Sequence, residues 1–221
     1  MSLESDRHLS TPDVRWRNSL RFEDFASRLN VRLPTPDSRL PMNVIPTELP
    51  EVLIVEPKVF GDSRGFFFEA FRADRFAEAG LPTMWMQDNL SRSQKNVVRG
   101  LHFQIEQPQA KLVRCLRGAI YDVAVDVRRC SPSFGKWVGV ELSEDNHRAV
   151  YIPVGFAHGF CVLSDLADVE YKCTDLYAPQ HERSLLWNDP AVGVRWPLDG
   201  EAILSPKDLL GKPLNELECS P

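Results

Sequence analysis

Two of the five histidines in this 221-residue chain sit where an imidazole could do chemistry. His102 alternates with Leu101 and Phe103 on a segment that reads as a strand, so its ring points away from two large apolar side chains and into whatever lies on the other face. In a closed barrel that face is the interior. His158 follows Pro153-Val-Gly-Phe-Ala157, in which Pro and Gly set a tight corner and the imidazole is delivered just after it. For both, a core histidine bonded to a backbone carbonyl is the plainer alternative. His8, His147 and His181 lie in polar stretches that suit a solvated ring. The five cysteines, Cys115, Cys130, Cys161, Cys173 and Cys219, form no CxxC pair, so reduced, mostly buried thiols are expected rather than a zinc ribbon or a disulfide frame.

The elements that must position these histidines read as strands. In Ala119-Ile-Tyr-Asp-Val-Ala-Val-Asp-Val127, Tyr121, Val123, Val125 and Val127 share one face, with Asp122, Ala124 and Asp126 on the other. Similar short runs cover 51–55, 65–71, 97–104, 111–116, 136–142, 149–152, 159–163 and 168–175. Helical periodicity is confined to Asp74–Gly80 and the tail of this region, so the sequence predicts an all-β sandwich or barrel. Residues 1–41 differ in character: seven arginines are nearly balanced by acids, Pro12, Pro34, Pro36 and Pro41 interrupt them, and one short amphipathic stretch carries Phe22, Phe25, Leu29 and Leu33. This stretch reads as an arm outside a domain spanning 42–221.

With 43% hydrophobic and 26% charged residues, the composition excludes collagen-like and wholly disordered chains. A net charge of -5 opposes binding to a nucleic-acid polymer, although a few clustered cations could hold a small anion. No apolar run is long enough to cross a bilayer, and the first 30 residues lack the apolar stretch of a secretory signal. A cytoplasmic protein is expected.

The Pro153-x-Gly-x-x-His158 spacing resembles the second motif of the cupins, small antiparallel jelly-roll barrels, and Gly100–Gly118 falls where the first motif would lie. That first motif ordinarily supplies a His-x-His metal pair. Here Gln104 takes the second place, and a carboxamide is a poor transition-metal ligand, so no metal is expected and side chains must do the chemistry. The blocks Phe60-Gly-Asp-Ser-Arg-Gly-Phe-Phe-Phe-Glu-Ala-Phe71, Gln87-Asp-Asn89, Val98-Arg-Gly-Leu-His-Phe-Gln104, Gln109-Ala-Lys-Leu-Val-Arg114, Ser131-Pro-Ser-Phe-Gly135, Pro153–Gly159, Tyr171-Lys-Cys-Thr-Asp175 and Leu204-Ser-Pro-Lys-Asp208 together resemble the dTDP-4-dehydrorhamnose 3,5-epimerase family. Any one block is weak, but the ordered set, running from about Met42 to Asp208, is specific. Met42-Asn-Val-Ile-Pro-Thr-Glu48 is similar to the usual start of these enzymes, so the preceding arm departs from the family pattern.

The resemblance implies a cofactor-free, homodimeric jelly-roll epimerase of a dTDP-linked 4-keto-6-deoxyhexose, with N-terminal strands that could exchange between subunits. Both C3 and C5 lie alpha to the C4 ketone, so one oxyanion stabiliser serves two epimerisations. By the same resemblance His102 is the base, Asp208 the carboxylate that orients it, Tyr171 the acid on the opposite ring face and Lys111 the ammonium that stabilises the enolate. His158 would stand near the carbonyl; Arg64, Arg99 and Lys207 would hold the sugar or diphosphate; Phe67, Glu69, Gln87, Asn89 and Tyr177 would surround the thymidine. The competing readings are a mono-epimerase inverting C3 or C5 alone, a cupin that binds a nucleotide sugar without turning it over, and a metal-dependent oxygenase.

Overall fold

A computed structural model describes residues 42–219. The expected arm, 1–41, lies outside the described residues. From Met42 onward the chain forms two facing antiparallel sheets, the jelly roll anticipated from the short alternating runs.

The six-stranded sheet has the order β1 (Asn43–Pro46), β2 (Leu53–Glu56), β10 (Ala149–Ile152), β7 (Lys111–Arg117), β12 (Leu166–Cys173), β5 (Gln87–Gln94). The five-stranded sheet has the order β13 (Glu182–Ser184), β6 (Val98–Gln104), β11 (Phe156–Val162), β8 (Ala119–Asp126), β9 (Trp137–Ser143). A hairpin of β3 (Phe60–Asp62) and β4 (Gly65–Phe67) joins neither sheet. Two short helices complete the fold, α1 (Ala73–Glu78) and α2 (Pro206–Leu209).

Between the sheets Val113, Cys115, Ile120, Ala124, Val150, Phe156, Phe160 and Val169 form the barrel core. Both faces of β8 are covered. Ala124 and the buried carboxylates Asp122 and Asp126 point inward, whereas Val123, Val125 and Val127 pack outward beneath Leu185, Val192, Leu214 and Leu217 of the C-terminal segment. The apolar face of the sequence's clearest strand is therefore its outer face. Its acid-bearing face lines the barrel.

Four strands were not anticipated: β1, β3, β5 and β13. The reason is plainest in β5, Gln-Asp-Asn-Leu-Ser-Arg-Ser-Gln, which alternates half-buried Gln87, Asn89 and Ser91 with exposed Asp88, Leu90 and Arg92. Its period of two is present, but the inward positions are polar, so no hydrophobic alternation announces it.

Candidate active site

One end of the barrel stays open as a cleft of about 390 Å³, within the range of small-molecule sites. Its two walls come from the two sheets. On the six-stranded side the ladder sets Gln87, Cys173 and Lys111 in one row and Asn89, Tyr171 and Val113 in the next. On the five-stranded side His102 pairs with His158, which pairs in turn with Ala124. The His158 and Tyr171 rings face each other edge-on with centroids 6.4 Å apart, so histidines and tyrosine stand on opposing walls.

Two glycines make the histidine wall possible. Gly100 has φ +111°, and a Cβ there would lie 2.5 Å from Gly159 Cα, so only glycine lets β6 approach β11 this closely. Gly155 has φ +83° in the corner before His158, and a Cβ there would strike Arg128 at 2.5 Å. Arg128 is itself held by Asp126 and Glu51, which fixes the corner from below.

Asp208 reaches the cleft from α2. Ser205 caps this helix, Pro206 occupies its first turn, and the Asp208 carboxylate closes a capping box through Oδ2. That leaves Oδ1 free to accept from the Gly100 amide at 3.2 Å and to stand 2.8 Å from His102 Nε2. The approach to the imidazole is close but bent, so Nε2 makes no aligned hydrogen bond; contacts of this kind commonly tighten when substrate binds. Burial works to raise the Asp208 carboxyl, but His102, Ser205 and Gly100 outweigh it and hold the group at about 2. Asp208 is ionised throughout the neutral range.

A second imidazole–carboxylate pair lies deeper. His158 Nε2 and Asp122 Oδ2 are 2.8 Å apart, and both side chains are almost wholly buried. Burial pushes this carboxyl up and this imidazole down, so each leans toward its neutral form despite their attraction. The buried Lys111 ammonium is likewise pushed down by desolvation, and its Nζ lies 3.4 Å from the His102 carbonyl, as a donor to it. Burial raises the Tyr171 phenol.

At the mouth, Arg99 donates through Nε to Ser93 at 2.9 Å, and Gln87 joins Asn89 at 2.8 Å. Tyr177 stands beyond the end of β12, on a segment tied from several sides. Its amide donates to Gln87 Oε1, Gln104 Nε2 donates to the Leu176 carbonyl, and the Ala178 amide donates to Gln104 Oε1. Gln104, in the place where a cupin would offer a metal-binding histidine, thus ties the tyrosine segment to its own loop, since Nε2 also donates to the Gln107 carbonyl at 2.7 Å. Among the described residues no three His, Cys, Asp or Glu side chains converge as a metal would require.

Residues 46–216 match the family described as dTDP-4-dehydrorhamnose 3,5-epimerase. The chain belongs to that family. It is 57% identical over 169 residues to the dTDP-4-dehydrorhamnose 3,5-epimerase of Escherichia coli K12, covering 76% of this chain and 91% of that protein. To the 3,5-epimerase of Pseudomonas aeruginosa it is 53% identical over 174 residues, covering 78% and 96%. A crystal structure of dTDP-6-deoxy-D-glucose-3,5-epimerase from Legionella pneumophila Philadelphia 1, in complex with dTDP-4-keto-L-rhamnose, is 54% identical and superposes with a TM-score of 0.78 over 80% of this chain and 94% of that one.

Of the residues singled out by resemblance to the epimerases, the cleft brings together His102, Asp208, Tyr171, Lys111, His158, Gln87, Asn89, Arg99, Tyr177 and Lys207. It does not bring in Arg64, Phe67 or Glu69. Arg64 and Phe67 sit on the free hairpin, where Arg64 pairs with Asp62 and the Phe67 ring is 64% exposed, while Glu69 lies near Arg72 and Arg75. The sequence reading missed Asp122 and Glu182. Asp122 had a signal, an acid on the same strand face as Ala124; Glu182, in a three-residue strand after a 3-10 turn, had none. His147, read as solvated, packs against Phe66 and Phe68 at 4.5 and 5.2 Å. The thiols of Cys115 and Cys161 are pushed up by burial to about 11, which leaves them inert as nucleophiles.

Proposed function

We infer that this cleft inverts C3 and C5 of dTDP-4-keto-6-deoxyglucose, giving dTDP-4-keto-L-rhamnose on the route to dTDP-L-rhamnose. The observation that carries the reading is the placement of His102 and Tyr171 on opposite walls of one cleft, because inversion needs a proton removed from one ring face and another delivered to the opposite face. His102 is the base, and Asp208, ionised beside it, stabilises the imidazolium that forms. Tyr171 stays protonated at neutral pH and returns the proton. Lys111, which desolvation makes readier to share a proton, stabilises the enolate oxygen at C4, with the His158–Asp122 pair beside it. Loss of the C3 proton gives a C3=C4 enolate and loss of the C5 proton a C4=C5 enolate, but both place the negative charge on the same C4 oxygen, so one set of groups serves both centres in turn.

At the nucleotide end we assign Tyr177 as a stacking surface, Gln87 and Asn89 as hydrogen-bonding groups, and Arg99 and Lys207 as partners of the diphosphate. Incubation with dTDP-4-keto-6-deoxyglucose in deuterated water is expected to place deuterium at both C3 and C5. Label at neither carbon overturns the reading, and label at one alone makes the enzyme a mono-epimerase.

We further propose a homodimer acting in the cytoplasm. The β3–β4 hairpin exposes Phe60, Phe66 and Phe67 and pairs only with itself among the described strands, so its apolar face suits burial against a second copy, where Arg64 and Phe67 would meet the partner's cleft. Five free thiols fit a reducing compartment, and no described helix is long and apolar enough to cross a membrane. Sedimentation velocity at micromolar concentration is expected to give a dimer; a monomer at that concentration overturns this part of the proposal.

A further inference from the structure

Glu182 lines the cleft yet has no place in the chemistry described above. Its single oxygen Oε2 accepts from two groups at once: the Tyr177 hydroxyl at 2.9 Å and the Lys207 ammonium at 2.5 Å. The Lys207 Nζ also lies over the Tyr177 ring, 5.8 Å from its centroid, which closes a triangle of carboxylate, ammonium and aromatic ring. Tyr177 and the Lys207 side chain are each 47% exposed, whereas that of Glu182 is only 13% exposed. The carboxylate is the anchored corner, and the two groups it holds are the exposed ones.

An anion inside a site for a diphosphate opposes the ligand by simple Coulomb repulsion, so its presence calls for a compensating gain. That gain is order. Lysine carries a long, solvated and flexible stem whose rotamer freedom must be lost when it grips a phosphate. A tyrosine on a loop must likewise stop moving before it can stack. Holding both in advance removes that cost from binding. Lys207 directly precedes Asp208, and Glu182 pairs in register with Gln104, which holds the backbone on both sides of Tyr177. The triangle thus stands at the nucleotide end, beside the His102–Asp208 pair but apart from the reacting atoms.

We propose that Glu182 is a positioning residue that presets Tyr177 and Lys207 for the nucleoside diphosphate, so that it governs affinity for the nucleotide end and not the proton transfers. The proposal rests on the functional reading above. The probe is dTDP alone, titrated calorimetrically into the full chain, together with steady-state epimerisation. Glu182→Ala should weaken dTDP and raise KM about tenfold, the scale of losing charge-assisted hydrogen bonds, while kcat stays within about threefold. In Glu182→Gln the amide oxygen can still accept from both partners, and its dTDP affinity should return to within about threefold of the parent protein. Glu182→Asp, one methylene too short to reach both groups, should behave like the alanine variant and carries the test if Glu182→Ala does not fold. Unchanged or tighter dTDP binding by the Ala or Asp variant overturns the proposal, as does a fall in kcat as large as the fall in kcat/KM. Failure of the parent protein to bind dTDP would instead sink the functional reading itself.

Discussion

Two imidazole–carboxylate pairs share this barrel, His102–Asp208 and His158–Asp122, and both close to 2.8 Å. Distance does not distinguish them; surroundings do. Asp208 receives a backbone amide, a serine hydroxyl and the histidine, and remains ionised down to about 2. The His102 side chain keeps 23% of its surface open to the cleft. In the proposed mechanism that pair is a base with a fixed counter-charge waiting for it. Asp122 and His158 have shed their water, and burial moves both toward neutrality against their mutual attraction, so the inner pair holds charge less firmly than the outer one. Identical chemistry drawn at identical length does different work when only one copy keeps partners for its charge.

Substitutions can break this contrast. His102→Ala should lower kcat by about 10³-fold or more, the range for loss of a positioned general base, while leaving dTDP affinity within about threefold; retained turnover would remove His102 from the reaction. Replacing the two carboxylates in parallel is the sharper comparison. Asp208→Asn removes the charge that stabilises imidazolium and should cost about 10²-fold in kcat or more, whereas Asp122→Asn, in a pair already leaning neutral, should cost about tenfold or less. Equal losses in steady-state assays of the two variants would show that the inner pair also carries charge in the reaction.

Much of this arrangement could be read from the chain, and the unread part has a common cause. Strands β6, β7, β8 and β12 alternate apolar residues against the core, so periodicity found them. Strand β5 lines the cleft with Gln87, Asn89 and Ser91, and the polarity of that cleft wall erases the signal that would have marked it as a strand. Asp208 lies 106 residues from His102 (208 − 102), and no spacing rule joins them; the local signal was Ser205-Pro-Lys-Asp208, which reads as a capped helix start and gives no hint that the free carboxylate oxygen faces a histidine. The apolar face of β8 announced a buried surface without saying which, because the C-terminal segment covers the outside of the barrel as fully as the opposing sheet covers the inside. Arg64 and Phe67 entered only through resemblance, and one chain gives them no cleft to line.

The smallest effect concerns stability rather than rate, and it tests the inner histidine. A histidine whose pKa in the folded state lies below its unfolded value binds protons more readily when unfolded, so the folded state loses ground as pH falls through the unfolded value near 6.5. His158 is such a group, pushed down by burial with Asp122 only partly opposing. Denaturant unfolding of the parent protein should therefore show stability that is full at pH 7 to 8 and declines as the pH drops below about 6.5. In His158→Gln, whose amide can still meet Asp122, that decline should flatten even if the variant is less stable overall. The groups around the inner pair act in both directions: Asp122, raised by burial, contributes with the opposite sign and Lys111, lowered by burial, with the same sign as His158, so the comparison of His158→Gln with the parent protein is what isolates the imidazole. A slope as steep in His158→Gln as in the parent protein would mean that folding leaves the proton affinity of the inner imidazole unchanged, and the contrast between the two pairs would then disappear.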